Sequence, residues 1–168
     1  QGSFSKLLSP TLRIGYLVVP ERLLGRVDRY VSLVGSRASL VPQPPLADFM
    51  LEGSFSAHLR KMRRTYAKRQ RELVAALKEV ADLLDVEPNP SGMHICCPLL
   101  PKISRKTTDV ELVKSGSDNG LTLQALSTHS ILPRPPHGLL LGFSAFDTPT
   151  LEAAARDLIE ILQKFRRS

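Results

Sequence analysis

Leu59, Met62, Tyr66, Leu73, Leu77, Val80 and Leu84 follow one another at intervals of three, four and, once, seven residues. That spacing lays a single apolar stripe along a long helix. A shorter helical piece over residues 46–51 precedes it, with Gly53 as the break between the two. Pro88, Pro90 and Gly92 close the block. Upstream, residues 12–19 form a short apolar, β-branched run ended by Pro20, which reads as a buried strand. Leu23, Leu24, Val27, Val31 and Val34 then fit a helix opening at Glu21, and Pro42, Pro44 and Pro45 mark a connector.

The second half alternates its periods. Residues 93–97 are a strand closed by Pro98, and Thr108-Asp109 opens a helix that reaches Lys114 or a little beyond, with Gly120 as its stop. Residues 121–126 alternate apolar and polar positions as a half-buried strand does, and residues 138–143 form another strand. Asp147-Thr148-Pro149 is a helix start, and Leu151, Ala155, Leu158, Leu162 and Phe165 form the buried face of the last helix. Arg166 and Arg167 sit at its end, where the helix dipole favours cations. Strand, helix, strand, strand, helix is an α/β order. The residues before it read as the tail of a larger domain.

Composition narrows the class. The chain has 168 residues, 42% hydrophobic and 23% charged, the balance of a folded domain rather than a disordered chain. No apolar run approaches the ~18 residues of a membrane span, and no basic-then-apolar leader is evident. Cys96 and Cys97 are adjacent, a spacing that strains a disulfide; free thiols in a reduced, cytoplasmic compartment are expected. The net charge of +7 favours anionic partners, while the absence of Trp argues against a stacking surface for single-stranded nucleic acid.

Lys6 carries the most information. It follows Gly2, Ser3 and Ser5, just before an apolar run, where amides and hydroxyls can gather around an anion, and Arg13 offers a bidentate fork for phosphate. An amine beside a phosphate cradle is what pyridoxal 5'-phosphate chemistry requires. Ser3-Phe4-Ser5-Lys6, Pro10, Leu12-Arg13 and Gly15-Tyr16 resemble the cofactor-lysine motif of fold type I pyridoxal phosphate proteins, the aminotransferase superfamily. Gln43-Pro44-Pro45-Leu46, Phe49, Glu52-Gly53-Ser54-Phe55, residues 58–66 and residues 138–143 resemble its MocR-type branch. In that branch an aminotransferase-like domain follows a winged-helix DNA-binding domain of the GntR kind.

The resemblance covers essentially the whole chain. It implies the end of a truncated large domain over residues 1–45, then a connecting helix and C-terminal small α/β domain over residues 46–168. It makes Lys6 the Schiff-base lysine, Arg13 a phosphate ligand, and Ser3 and Ser5 phosphate contacts. It also implies a homodimer, an amino-compound effector or substrate, and DNA contact only through a domain outside these residues. Two departures matter. Catalytic relatives grip the substrate α-carboxylate with an arginine where this chain has Leu140; Arg134, in a nearby loop, is the alternative cation. The ring-stacking aromatic, the pyridinium aspartate and a second phosphate loop lie upstream of the lysine in that family, so the site here is partial and the chain reads as a fragment starting at Gln1. The expected function is an effector and oligomerisation segment of a MocR-type regulator; the alternative is a fragment of a class I/II aminotransferase.

Other features read as structural. Arg60, Lys61, Arg63, Arg64, Lys68, Arg69 and Arg71 are expected on solvated faces of a packed helix rather than on DNA. His58, His94, His129 and His137 show no metal spacing. One of the two cysteines is expected to face the core. Ser127 and Ser130 have no aspartate–histidine constellation that spacing supports.

Overall fold

In a computed structural model, residues 1–35, 38–89 and 92–167 are described, and the chain divides into two compact units, Gln1–Met62 and Arg63–Ser168. Pro90, part of the expected break after the long helix, lies outside the described residues.

The first unit opens with β1 (Gly2–Ser3) paired antiparallel with β2 (Gly15–Tyr16), Gly2 opposite Tyr16 and Ser3 opposite Gly15. The Phe4 amide extends the pairing by donating to the Ile14 carbonyl at 3.0 Å. Between the strands, the amides of Leu7 and Leu8 both donate to the Phe4 carbonyl and close a tight turn over Lys6. Ser9 caps a 3-10 turn at Pro10–Leu12, and Arg13 follows with φ of 48°. The buried strand expected over residues 12–19 is therefore corrected. Arg13 in the left-handed region interrupts the extended run, only two residues pair, and Leu17 and Val18 are exposed.

A 3-10 turn at Glu21–Leu23 leads into α1 (Leu24–Val34), the expected helix, which buries none of its residues. The proline connector is in fact a helix start. In α2 (Gln43–Leu51) prolines occupy the first helical positions, where a missing N–H costs nothing. Gly53, with φ of 78°, divides α2 from α3 (Ser54–Ala76) as the sequence predicts. The small core of this unit is aromatic. Phe4 and Ile14 are buried, Phe4 lies 5.8 Å from Tyr16 and 5.9 Å from Phe55, and Phe55 meets Phe49 at 6.2 Å.

In the second unit α3 passes into a 3-10 turn at Leu77–Val80, so the apolar stripe outlasts the α-helix itself. Leu77 and Val80 in that turn, and Leu83 and Leu84 just after it, all stay in the core. β3 (His94–Pro98), the single turn α4 (Pro101–Ser104), α5 (Asp109–Asp118), β4 (Gln124–Ala125), β5 (Gly138–Gly142) and α6 (Thr148–Arg167) complete the unit. The strands form an antiparallel sheet in the order β3-β5-β4, with Cys96 and Gln124 both opposite Leu140. Ile95, Cys97, Leu139 and Leu141 face the core, while His94 and Cys96 are exposed on the other face. The expectation that one cysteine faces inward holds.

α6 buries Leu151, Ala155, Leu158 and Leu162 as expected, together with Ile159 and Ile161. Asp147 accepts the Thr150 amide at 3.1 Å and caps it. α5 starts with a full capping box: the Thr108 hydroxyl accepts the Glu111 amide, and Glu111 accepts the Thr108 amide at 2.8 Å. The strand expected over residues 121–126 shortens to Gln124–Ala125, because the chain turns into a 3-10 helix at Leu126–His129 directly afterwards.

Candidate functional site

Ser3, Ser5, Arg13, Pro10, Ile14 and Gly15 line one open pocket of about 330 Å³ in the first unit. The β1–β2 pairing brings it about. It joins the two ends of a loop of about a dozen residues, so serines near the start of the chain meet an arginine near the end of the loop. Close strand approach is possible because Gly2 has no side chain; a Cβ there would lie 2.5 Å from the Tyr16 ring. Ser5 donates its amide to the Ser3 hydroxyl oxygen at 3.2 Å, which ties the two hydroxyl-bearing residues together.

Arg13 holds a backbone conformation that costs a non-glycine residue roughly 1–2 kcal/mol. Such strain persists where neighbouring structure over-determines it: the β1–β2 ladder after Arg13 and the capped turn before it fix the conformation. No carboxylate lines the pocket. Two hydroxyls and a guanidinium suit it to an oxyanion with several acceptor atoms.

Lys6 is exposed in the turn and is not among the lining residues. Of the four residues singled out in the sequence, three therefore share the pocket, and the lysine follows one of them directly. His58, assigned no role by spacing, hydrogen-bonds through Nε2 to the Leu7 carbonyl at 3.1 Å and steadies the residue after Lys6. Only the folded turn brings positions so far apart in sequence together.

The second unit contains a polar cluster that sequence reasoning missed. Asp109, with no exposed surface, accepts from the Ser127 amide and hydroxyl, both at 2.8 Å, and from the Gly138 amide at 3.1 Å. It also accepts from His137 Nδ1 at 2.8 Å. Burial alone would raise the carboxyl pKa. The His137, Ser127 and Gly138 hydrogen bonds outweigh it and hold Asp109 at about 2.

An aspartate, a histidine and a serine thus do meet, contrary to the expectation from spacing. They do not form a nucleophilic triad: the Ser127 hydroxyl donates to the carboxylate, so it is not paired with the imidazole as its base. The cluster is a clasp that pins the first residue of β5 and the start of the preceding 3-10 turn to the N-terminus of α5. The one signal that could have found it is Asp109 at the first turn of a helix, next to a strong cap.

The remaining candidates lie outside the pocket and the clasp. Leu140 is half-buried in β5, and Arg134 is exposed in the loop before it. Burial pushes the Cys97 thiol up to about 12, with Cys96 and Asp85 adding to the shift. Arg60, Lys61, Arg63, Arg64, Lys68 and Arg71 are exposed, as expected of a solvated face. Arg69 departs from it, donating to the Ser144 carbonyl. Among the described residues no cluster of His, Cys, Asp or Glu could hold a metal ion, and no helix is long and apolar enough to cross a membrane.

The chain is similar to known proteins in sequence and in fold. Residues 1–134 match the model of the family described as aminotransferase class I and II. A probable rhizopine catabolism regulatory protein, MocR, of Rhizobium meliloti is 37% identical over 94% of this chain, which spans 31% of that relative. An uncharacterized HTH-type transcriptional regulator, YhdI, of Bacillus subtilis is 29% identical over 94% of this chain and 33% of its own length. Among solved structures, LysN, an α-aminoadipate aminotransferase of Thermus thermophilus complexed with N-(5'-phosphopyridoxyl)-L-leucine, superposes with a TM-score of 0.84 at 21% identity. That match covers 98% of this chain and 41% of LysN. A kynurenine aminotransferase of Pyrococcus horikoshii gives 0.80 at 18% identity, over 97% of this chain and 40% of its own. The α/β fold of the type I aminotransferases is therefore the fold of this chain. The chain spans about a third of the curated relatives and two fifths of the solved structures.

Proposed function

Because this chain belongs to the class I and II aminotransferase family, we propose that it is the cofactor-lysine end of a pyridoxal phosphate-binding, aminotransferase-like part of a MocR-type transcriptional regulator. One observation carries the reading most directly. Ser3, Ser5 and Arg13 line a carboxylate-free pocket beside the turn that bears Lys6. Hydroxyl, hydroxyl and guanidinium donors fit a phosphate monoester, and Lys6 is the amine that would hold the cofactor covalently through its aldehyde. Bound pyridoxal phosphate supplies an electrophilic carbon that condenses reversibly with amines. Arg13, Ser3 and Ser5 would hold its anionic end, and Lys6 would supply the amine for its aldehyde. The backbone turn over Lys6, pinned by His58 at Leu7, sets where that amine sits.

In this reading the ligand is an amino compound that acts as an effector. Leu140 has no charge with which to hold an α-carboxylate, so binding rather than amino-group turnover is the proposed output. The intact protein is proposed to be a cytoplasmic homodimer that contacts its operator through a domain outside these residues. The regulator names of the relatives support the operator contact.

The test uses the full-length protein loaded with pyridoxal phosphate and challenged with amino compounds, each with and without a 2-keto acid. The proposal expects a ligand-dependent change in operator affinity with no consumption of the keto acid. Sustained keto-acid consumption would replace it with an aminotransferase.

A further inference from the structure

Three of the five cations that α3 carries in the second unit share one strip of the helix. At 3.6 residues per turn, Arg64, Lys68 and Arg71 fall within about 60° of one another, with Arg63 on their flank. Tyr66 and Leu73, which pack toward the core, lie about 180° away from that row. Arg63, Arg64, Lys68 and Arg71 are all exposed. Within this stretch Glu72 is the single acidic residue; it pairs with Lys68 at 3.7 Å and also accepts the Thr148 hydroxyl. Among the described residues no ion pair neutralises Arg64 or Arg71. Arg69, aimed elsewhere at Ser144, is outside the row.

We propose that this row is a contact surface for the phosphate backbone of duplex DNA. A solvated helix face ordinarily balances its signs, whereas here one carboxylate, Glu72, stands beside four cations and pairs only with Lys68. Its side chains are mostly arginines, whose forked donors match phosphate oxygens. The row spans about 10 Å at 1.5 Å per residue, while duplex DNA presents one charge per about 1.7 Å of its axis, so three cations can each meet a phosphate. No aromatic side chain stands in the row, so it reads backbone charge and not base identity. Duplex DNA is favoured over an acidic protein because the relatives are named as transcriptional regulators; the inference rests on the regulator reading to that extent. The row would add a sequence-independent clamp to whatever domain selects the operator.

The test measures salt-dependent binding of the full-length protein by fluorescence anisotropy. Its probes are a labelled duplex from the region upstream of its own coding sequence and a scrambled duplex. With Arg64, Lys68 and Arg71 all changed to Gln, the slope of log K against log salt should fall by roughly 2–3, about 0.9 for each phosphate no longer neutralised. Both duplexes should weaken by the same factor. Glutamine keeps a helix propensity close to that of Lys and Arg. The single variants Arg64→Gln and Arg71→Gln, each lowering the slope by roughly 1, give the same reading should the triple variant misfold. The double variant Arg64→Lys, Arg71→Lys should retain the parental slope.

A duplex-binding protein whose slope is unchanged by the triple or single substitutions would overturn the inference and leave the regulator reading intact. Displacement of the row by poly-glutamate with that unchanged duplex slope would overturn it in favour of an acidic protein partner. A full-length protein that binds neither duplex would overturn both.

Discussion

Replacing Asp109 with Asn removes one charge from the centre of the clasp and leaves its shape almost unchanged. The carboxylate is fully buried and meets donors only: two backbone amides, a hydroxyl and an imidazole N–H. An amide side chain offers one acceptor oxygen and must turn its own donor toward another donor. The native carboxyl, held at about 2 against the usual 3.8, contributes roughly 2 kcal/mol at neutral pH. Leaving one buried donor unpaired adds about 1–3 kcal/mol, so Asp109→Asn should cost about 3–5 kcal/mol at pH 7.

The sign of the pH dependence follows from the lowered pKa. The ionic share is fully present above the unfolded value and is lost as pH falls toward the folded value of about 2. Half of it is gone by about pH 3, so the gap between the native protein and Asp109→Asn narrows as pH drops. Denaturant melts at pH 7, 5 and 3 measure that gap. Amide exchange at Ser127 and Gly138, the two backbone donors, localises it. A loss below about 1 kcal/mol, a gap that does not change with pH, or unchanged exchange at those two amides would refute the account of the clasp.

Three further outcomes follow from the same geometry. Gly138→Ala should destabilise the second unit by about 1–3 kcal/mol in a thermal melt, since a Cβ there meets the Cys97 carbonyl at 2.9 Å and backbone cannot easily move aside. Glu111→Ala removes half of the α5 capping box and should lower the midpoint of a thermal melt, with the reduced protection concentrated at the Thr108 amide. A thiol reagent should modify Cys96 promptly in the native protein and Cys97 only after denaturation, because burial raises the Cys97 pKa to about 12; two fast thiols would contradict the register of β3.

Helices with strong periodicity and caps are legible residue by residue. Gly53, Thr108 and Asp147 each mark a helix start or break where the structure has one, because cap chemistry is local. Short strands are not. The run over residues 12–19 carries the composition of a buried strand, yet its pairing depends on β1, and a left-handed Arg13 is invisible in the pattern. The prolines before α2 mislead in the opposite sense, since the same residue ends one element and suits the first turn of the next.

For the candidate site, a short motif singles out Ser3, Ser5, Lys6 and Arg13, and three of them share a pocket. His58 and the Asp109 clasp leave no such mark because their partners lie far away in sequence: Leu7 for the first, Ser127, His137 and Gly138 for the second. Long-range hydrogen bonds leave no period in a chain.

Lys6 is proposed to carry the cofactor, and its covalent modification reports on that without relying on activity. The full-length protein is incubated with pyridoxal phosphate, reduced with borohydride and digested, and the peptides are weighed. A single pyridoxyl group is expected on Lys6, lost in Lys6→Ala and weakened at limiting cofactor in Arg13→Ala. A folded protein that carries the group on another lysine, or on none, would contradict it.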